Sequence, residues 1–146
     1  MKKAEQFDSE HESEFEQIKK ENEELKKRLQ STEKINKIAF WKGEFNSDKH
    51  FWSDNLFQLL GYKINEIIPS EETFIKHIHP DDLQLVLDAK KNSYDHKTVF
   101  DVSFRYFTKN KKLCKGRSKG TIYVDKNTNA ILFDGVFQDI TDQFEI

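Results

Sequence analysis

The feature that most constrains this chain is a change of composition near residue 35. Residues 1–34 hold 8 basic and 10 acidic residues but only two aromatic ones, Phe7 and Phe15, whereas residues 35–146 hold the other 17 aromatics. The first segment lacks Gly and Pro and is rich in Glu and Lys, which favour helix and pair well at three- and four-residue spacing. We therefore predict a long exposed helix over residues 1–34, followed by one globular domain over residues 35–146.

Within the helical segment, the apolar side chains repeat with the spacing of a coiled coil. Intervals of three, seven and four residues fit the a and d positions of a heptad, and the residues concerned are Phe15, Ile18, Leu25 and Leu29. Asn22 fills the intervening a position, where a buried Asn favours two parallel strands in register. We predict a parallel homodimer through these five residues.

The charges of the segment agree with this arrangement. On a parallel partner, each g residue would face the e residue five positions later, and all three pairs are opposite in sign: Glu14 with Lys19, Glu21 with Lys26, and Arg28 with Glu33. The alternative is a single solvated helix whose charges only face water, since the segment has fewer than three complete heptads.

The charge balance and the lengths of the apolar runs limit which partners the chain can have. Its 24 basic and 26 acidic residues nearly cancel, and we recognise no row of Lys and Arg that would neutralise phosphates, so nucleic acid is not an expected partner. No run approaches the roughly 18 apolar residues of a membrane span, so we expect no membrane contact by this chain. The single cysteine, Cys114, and the absence of an apolar run after Met1 favour the cytoplasm.

The globular segment opens with strands and short helices. Aromatic runs at residues 38–45 and 50–52, separated by a turn-prone segment, predict a hairpin. Ser53 is placed to cap a short helix that Gly61 ends, and Ser70 is placed to cap a second helix. Pro80 suits the first position of a third helix, which we expect to run to about Lys91.

The remainder of the chain alternates as strands do. Residues 100–106, 113–125 and 130–140 predict three antiparallel strands separated by turns. The last strand is apolar on both faces, so we expect the sheet to be covered on one side by the short helices and on the other by the N-terminal helix or a partner subunit. The order of elements predicts an α+β domain, with a five-stranded antiparallel sheet and short helices on one face.

Several motifs within this pattern resemble those of the PAS family. They stand in order as Trp41, Trp52-Ser53, Leu59-Leu60-Gly61-Tyr62, His79-Pro80-Asp81-Asp82, Arg105-Tyr106, Gly135 and Asp139-Ile140-Thr141. Together they are similar to PAS domains of bacterial and archaeal sensors, over roughly residues 36–142. The family usually has Gly and then Arg-Trp at the turn into the second long strand, where this chain has Asn110-Lys111-Lys112 and then Leu113-Cys114. No ligand contact is therefore carried over to that strand.

The resemblance implies a non-catalytic module for signal sensing and dimerisation, of the kind found in two-component systems. It would relay the binding of a small apolar ligand or a partner through the coiled coil to an output domain of a longer sensor. Asp139 and Thr141 are the candidate relay residues, because a carboxylate and a hydroxyl can bond free backbone N–H groups where the sheet ends. Capping a turn is the equally weighted alternative.

The candidate ligand-binding residues are the apolar side chains expected to face the domain interior. They are Trp41, Phe57, Phe74, Ile78, Val86, Phe104 and Phe133. Filling of the core explains the same residues, and we prefer that interpretation because regularly spaced aromatics ordinarily pack together. A ligand-free dimerisation scaffold is therefore an alternative function.

Cofactor binding and catalysis find less support in the sequence. Haem is a second alternative, but it needs an axial His facing the cavity, and residues 81–93 of the expected long helix contain none. The pair His77 and His79 beside two Asp residues is a weak metal signal. Since no catalytic motif appears in its required context, we do not expect an enzyme.

Overall fold

The chain is described from a computed structural model, which covers residues 2–143 apart from the side chains of residues 2–9, Glu33 and Asn36. The predicted contact of Arg28 with Glu33 therefore lies outside the described residues. The elements follow the predicted order: α1 Lys2–Asn36, β1 Ile38–Glu44, β2 His50–Trp52, α2 Asp54–Leu59, α3 Glu71–Ile75, α4 Pro80–His96, β3 Phe100–Phe107, β4 Leu113–Val124 and β5 Ile131–Asp139. A short 3-10 turn, Thr141–Gln143, ends the described chain.

Helix α1 is the long exposed helix that the composition predicts. It ends at Lys37, whose φ of 53° takes the backbone out of the helix and directly into β1. Its predicted heptad residues all face solvent, and the large ones are 65%, 57%, 59% and 49% exposed: Phe15, Ile18, Leu25 and Leu29. Exposed apolar side chains in one row are what a coiled-coil seam presents before it pairs.

The five strands form one antiparallel sheet in the order β2-β1-β5-β4-β3. The predicted hairpin is present, with Trp41 opposite Trp52. The last three strands reach the hairpin through β5, which pairs with β1 from Ile38 opposite Gln138 to Glu44 opposite Leu132. The sheet therefore joins both ends of the domain, because the first strand of the domain lies beside the last.

The short helices start and stop largely as their sequences predict. The Ser70 side chain accepts a hydrogen bond from the Thr73 amide at 3.0 Å and so caps α3. Gly61, with φ of 91°, follows the last residues of α2 in the left-handed conformation that glycine adopts without strain. Ser53 precedes α2, but the predicted cap is wrong, because its hydroxyl instead accepts from the Phe40 amide at 2.9 Å and ties α2 to the hairpin.

Helix α4 is longer than predicted. It begins at Pro80 as expected, but it continues past Lys91 to His96 and ends at Lys97, whose φ is 52°. The added residues include Ser93, which is buried and donates its hydroxyl to the Thr98 carbonyl. The residues around Ser93 are mostly hydrophilic, so the sequence gives no sign that this side chain is buried and that the helix continues. His96 therefore lies within the last turn of the helix and not after it.

The core lies between the short helices and one face of the sheet. On β3 the inward side chains alternate strictly with outward ones, and the buried set is Phe100, Val102, Phe104 and Tyr106. Phe137 of β5 is fully buried and its ring lies 5.2 Å from Tyr106 and 6.1 Å from Phe104, measured between ring centroids. The alternation that predicted β3 as a half-buried strand is thus confirmed.

Two glycines make room for an indole ring on this inner face. Gly120 and Gly135 lie opposite each other on β4 and β5, and the Trp41 ring lies over them. A Cβ atom on Gly135 would come within 2.6 Å of that ring and 2.2 Å of the Lys119 carbonyl oxygen. Both positions therefore have to be glycine, because the Trp41 ring packs directly on the backbone of β4 and β5.

The outer face of the sheet is apolar on one side and basic on the other. Phe40 and Phe51 are 37% and 51% exposed there. Lys42 Nζ lies 5.5 Å from the centre of the Phe51 ring, and both rings keep this exposure with helix α1 in place, so a partner subunit is the predicted cover that remains a prediction. Along β4, Lys115, Arg117 and Lys119 alternate outward, a basic row that we did not recognise in the sequence. Arg117 Nε donates to Asp101 Oδ1 at 2.7 Å, which offsets part of its charge.

Candidate functional site

A cavity lies between the inner face of the sheet and helices α3 and α4. Its volume is about 40 Å³, enough for a few water molecules and far below the roughly 300–1,000 Å³ of sites for drug-sized ligands. Its walls are mainly aromatic and aliphatic, formed by Trp41, Trp52, Leu56, Phe74 and Phe133. The chain has only two tryptophans, and both line this cavity.

Phe74 of α3 lines this cavity and packs against other aromatic rings. Its ring meets three other rings edge to face, with centroids 6.4 Å from Trp52, 6.1 Å from Phe104 and 5.6 Å from Phe137. Its helix, α3, is five residues long and has no fully buried residue. A short, weakly buried helix therefore carries a ring that contacts three other aromatic rings beside the cavity.

Polar groups lie at the two ends of the cavity. At the inner end, Ser118 of β4 lies on the inward face of the strand and is only 4% exposed. At the outer end, Lys90 Nζ lies 3.3 Å from Glu71 Oε1 and about 6.0 Å from the centre of the Phe74 ring. The ion pair joins α4 to α3 over the opening.

The predicted ligand-binding residues divide into two groups. Trp41, Phe74 and Phe133 line the cavity. Phe57, Ile78, Val86 and Phe104 are buried in the packed core and do not line it. The sequence analysis missed Trp52, Ser118 and Lys90. The sequence signal for the cavity lies on β4, whose inward positions Gly116, Ser118 and Gly120 are all small. Small inward side chains on a strand leave space above the sheet.

The residues around this cavity do not fit haem. The cavity is many times smaller than a porphyrin, and His50 is its only lining histidine among the residues described. The His50 ring is engaged, with Nε2 2.8 Å from the Ser47 carbonyl oxygen. His77 is buried away from the cavity between the Tyr62 hydroxyl at 2.8 Å and the Phe107 carbonyl at 2.7 Å. Over residues 2–143, with the side-chain gaps stated above, no three His, Cys, Asp or Glu residues are grouped to hold a metal ion.

A second polar cluster lies where the sheet ends beside helix α1. The Tyr106 hydroxyl donates to Asp139 Oδ2, and the Thr141 amide donates to Asp139 Oδ1 at 3.0 Å. The Thr141 hydroxyl accepts from the Lys115 amide at 3.0 Å. The two candidate relay residues thus lie together and bond backbone N–H groups. The Asp139–Thr141 bond, between residues two apart, is also what the alternative of turn capping predicts, so the relay role stays a prediction.

The same cluster reaches the end of helix α1. The Asp139 amide donates to the Lys37 carbonyl at 2.9 Å, and Lys37 Nζ lies 2.6 Å from Asp142 Oδ2. Tyr106 is fully buried, and burial together with its bond to the Asp139 carboxylate raises the pKa of its phenol far above the ordinary value. The phenol therefore stays a donor at neutral pH. The sequence analysis missed Tyr106 and Lys37, because each reads as an ordinary strand or linker residue.

The His79-Pro80-Asp81-Asp82 motif has a structural role. Asp82 accepts from the Arg105 amide at 2.7 Å, from Arg105 Nε at 2.9 Å and from Arg105 Nη2 at 2.7 Å. These bonds hold the pKa of the Asp82 carboxyl far below its usual range. The His79 ring accepts from the Asp81 amide at 3.1 Å and stacks on Phe107. The motif thereby fastens the start of α4 to the edge of β3.

Solved structures with a similar fold come from sensor proteins. A sensory box histidine kinase/response regulator from Burkholderia thailandensis E264 has a TM-score of 0.65 and 26% identity, with 80% of this chain and 86% of that chain covered. The N-terminal domain of a diguanylate cyclase with PAS/PAC sensor from Marinobacter aquaeolei has a TM-score of 0.65 and 16% identity, with 74% and 99% covered.

A third structure is part of a much longer chain. It is an RNA-binding light-oxygen-voltage receptor with a TM-score of 0.64 and 16% identity, in which 75% of this chain spans 31% of that chain. A search of curated proteins found no match. No helix over residues 2–143 is both long and apolar enough to cross a membrane.

The family comparison agrees with the geometry of the sheet. The family described as the PAS fold matches residues 49–137, more than half of the chain, from β2 to β5. The His79-Pro80-Asp81-Asp82 motif lies within the matched residues, at the start of the long helix, whereas Trp41 and Asp139-Ile140-Thr141 lie outside them. This chain belongs to the PAS fold family.

Proposed function

We propose that this chain is a non-catalytic sensory and dimerisation module, which relays ligand or partner binding in the domain to helix α1. One observation carries the proposal. The last strand of the sheet is bonded to the end of the helix through Asp139, whose amide donates to the Lys37 carbonyl and whose carboxylate accepts from Tyr106. A shift of the sheet end therefore acts on the first residue after the helix.

Contacts run without a gap from the cavity to that bond. The Phe74 ring at the cavity lies 5.6 Å from Phe137, and Phe137 lies 5.2 Å from Tyr106. Tyr106 donates to Asp139, which binds Lys37. Binding that displaces Phe74 would have a differential affinity for two packings of these rings, and that difference is the energy source of the relay.

The readout would be the pairing of helix α1 with that of a second copy. The exposed row of Phe15, Ile18, Asn22, Leu25 and Leu29 supports a parallel two-stranded coiled coil. The printed descriptions of similar structures name a histidine kinase/response regulator and a diguanylate cyclase, so the output domain of a longer cytoplasmic sensor is the proposed partner.

A ligand-free dimerisation scaffold is the second candidate. The small volume of the cavity, about 40 Å³, favours it, because the protein's own rings fill the interior. Mass spectrometry of the purified, denatured protein separates the two functions. A stoichiometric small molecule supports sensing, and a protein that is empty after repeated preparation from different hosts supports the scaffold.

The relay itself is tested by replacing the carboxylate at the sheet end. In Asp139→Ala we expect faster amide hydrogen exchange at residues 35–41 and 138–143. The backbone bond to the Lys37 carbonyl remains, but the carboxylate bonds to the Tyr106 hydroxyl and the Thr141 amide, which hold the sheet end in place, are lost. Asp134→Ala is the matched control: it removes a carboxylate from the same strand that bonds Thr121 and Tyr123 on the outer face. Unchanged exchange at both segments in Asp139→Ala would refute the relay.

Dimerisation is tested separately in the same chain. Replacing both Leu25 and Leu29 by Lys puts like charges into the predicted seam and should leave a monomer in sedimentation. Leu85→Lys changes an equally exposed leucine on α4 and should keep the mass of the native protein. An unchanged mass for the helix variant contradicts the coiled coil.

A further inference from the structure

A second cleft lies between helices α1 and α2, away from the aromatic cavity. Its volume is about 160 Å³, the share of about five molecules of liquid water, so it suits a ligand of roughly five or six non-hydrogen atoms. The lining is mostly polar and comes from α1, from α2 and from the loop after α2: Gln30, Lys34, Asp54, Asn55, Gln58 and Ile64. This α1–α2 cleft shares no lining residue with the aromatic cavity.

Each wall of the α1–α2 cleft carries one charge and one amide. Gln30 and Lys34 are four residues apart and form one column on α1. Asp54 and Gln58 form the corresponding column on α2. Over the described part of the chain, none of these four side chains hydrogen-bonds or ion-pairs with another residue. Opposite charges therefore line one cleft from two different helices without closing on each other.

The base of the cleft is fastened to the sheet. Asn55 is buried, and its Nδ2 donates to the carbonyl of Ile38, the first residue of β1, at 2.8 Å. Helix α2 is thereby tied to the strand that follows α1, whereas α1 enters that strand through Lys37 alone. A ligand held by both walls would add a further connection between α1 and the domain.

The polar side chains of the cleft match the two ends of an α-amino acid. An amide N–H donates, so Gln30 and Lys34 together suit a carboxylate. An amide oxygen accepts, so Gln58 and Asp54 together suit an ammonium group. An anion held by Lys34 would face the like charge of Asp54, and a cation held by Asp54 would face Lys34. A molecule that carries one charge of each sign is therefore favoured over a simple ion.

Binding in the cleft is compatible with the predicted coiled coil. In the register that places Leu25 at d and Leu29 at a, Gln30 and Lys34 fall at b and f. These positions face away from the seam. Helix α1 can thus pair with a second copy through one side and hold a ligand on the other.

We propose that the α1–α2 cleft binds a small zwitterionic amino acid such as L-alanine. Lys34 and Gln30 hold its carboxylate, and Asp54 and Gln58 hold its ammonium group. Held between the two helices, the ligand limits the movement of α1 relative to the domain. This inference rests on the proposed sensing function, because it names a ligand class that acts on α1, but its site is not the aromatic cavity.

The first test titrates L-alanine into the isotope-labelled native chain and follows it by NMR. The side-chain amide signals of Gln30 and Gln58 report on the two walls, and we expect both to shift saturably. L-alaninamide lacks the carboxylate and N-acetyl-L-alanine lacks the ammonium group, so each should bind at least about fivefold more weakly. No shift with L-alanine, or equal affinity for either analogue, overturns the inference.

The second test removes one charge from each wall. Lys34→Met and Asp54→Asn should each raise the dissociation constant of L-alanine about five- to tenfold, the effect of one charge-assisted hydrogen bond. Lys34→Met should not weaken L-alaninamide binding, because that ligand has no carboxylate for Lys34 to hold. Lys27→Met, two turns earlier on the same side of α1, and Asp95→Asn, on the exposed end of α4, are the matched controls outside the cleft. Native affinity for L-alanine in both cleft variants overturns the inference.

These outcomes are separable from failure of the proposed relay. Saturable L-alanine binding that needs Lys34 and Asp54, with amide exchange at residues 30–41 unchanged by the ligand, supports the ligand class and refutes its action on α1. Absence of L-alanine binding, with the exchange of Asp139→Ala increased as expected, refutes the cleft alone.

Discussion

Replacing Tyr106 by Phe isolates one hydrogen bond at the junction of sheet and helix. The ring stays the same size and keeps its contact with Phe137, so the change removes only the hydroxyl that donates to Asp139. Tyr106 is fully buried, and the acceptor is a carboxylate. Hydrogen bonds to charged groups contribute roughly 1.5–3 kcal/mol, so we expect Tyr106→Phe to lower the free energy of unfolding by about 2 kcal/mol at pH 7.

The same variant should change the response to alkaline pH. The pKa of Tyr106 is raised in the folded protein, whereas in the unfolded chain the phenol titrates near its ordinary value of about 10. Above that pH the unfolded state binds fewer protons than the folded state, so stability falls by about 1.4 kcal/mol per pH unit. The contribution is fully present below pH ~10, and Tyr106→Phe lacks this dependence.

The two effects give a crossing point that can be measured. With about 2 kcal/mol lost at pH 7 and a slope of about 1.4 kcal/mol per unit, the native and Tyr106→Phe chains should be equally stable near pH ~11.5. Urea unfolding at a series of pH values, followed by circular dichroism, measures both. Tyr94→Phe is the control, because Tyr94 is half exposed and its ring stacks on Phe45 away from the junction. Parallel curves for the native and Tyr106→Phe chains from pH 9 to 12 would refute the reasoning.

Two further changes test the backbone of the domain. Gly135→Ala should lower the free energy of unfolding by about 3 kcal/mol or more, because its Cβ would lie against the Lys119 carbonyl oxygen and the Trp41 ring. Lys126→Ala, in the neighbouring turn, is the control. A loss under about 1 kcal/mol in urea unfolding contradicts the close packing at Gly135. Lys97→Gly should raise the free energy of unfolding by about 0.5–1 kcal/mol, since φ at this position is 52° and glycine adopts it without strain. Lys91→Gly, inside the same helix, should lower the free energy of unfolding. Changes in the same direction for the two variants would contradict the left-handed end of the helix.

Most of the fold could be predicted because its signals are local. Alternation along Phe100–Tyr106, the turn-prone runs between strands, and the cap at Ser70 each depend on a few neighbouring residues, and each is confirmed. The errors arose where a distant group decided the outcome. The Ser53 hydroxyl bonds the Phe40 amide and not the amides of its own helix, and α4 continues to His96 with Ser93 anchored to Thr98. Neither partner is indicated by the sequence around the residue.

The candidate sites show the same division. Asp139 and Thr141 could be found because the end of a strand leaves backbone N–H groups that a carboxylate and a hydroxyl bond. Tyr106 and Lys37 could not, since their roles depend on two segments far apart in sequence meeting at one edge. For the cavity, an apolar side chain in the sequence gives no sign of whether it lines space or fills it, so Phe57 and Phe104 could not be separated from Phe74 and Phe133.

Lys37 is the only residue between the last position of helix α1 and the first position of β1. A connector of one residue has no slack to absorb rotation or extension. Each residue inserted into the helix would turn its far end by about 100° about its axis and move it about 1.5 Å along that axis relative to the sheet. The helix length therefore sets both the rotation and the distance of any attached segment relative to the domain. Insertions of seven residues should nearly preserve that phase, and insertions of two should face the attached part the opposite way.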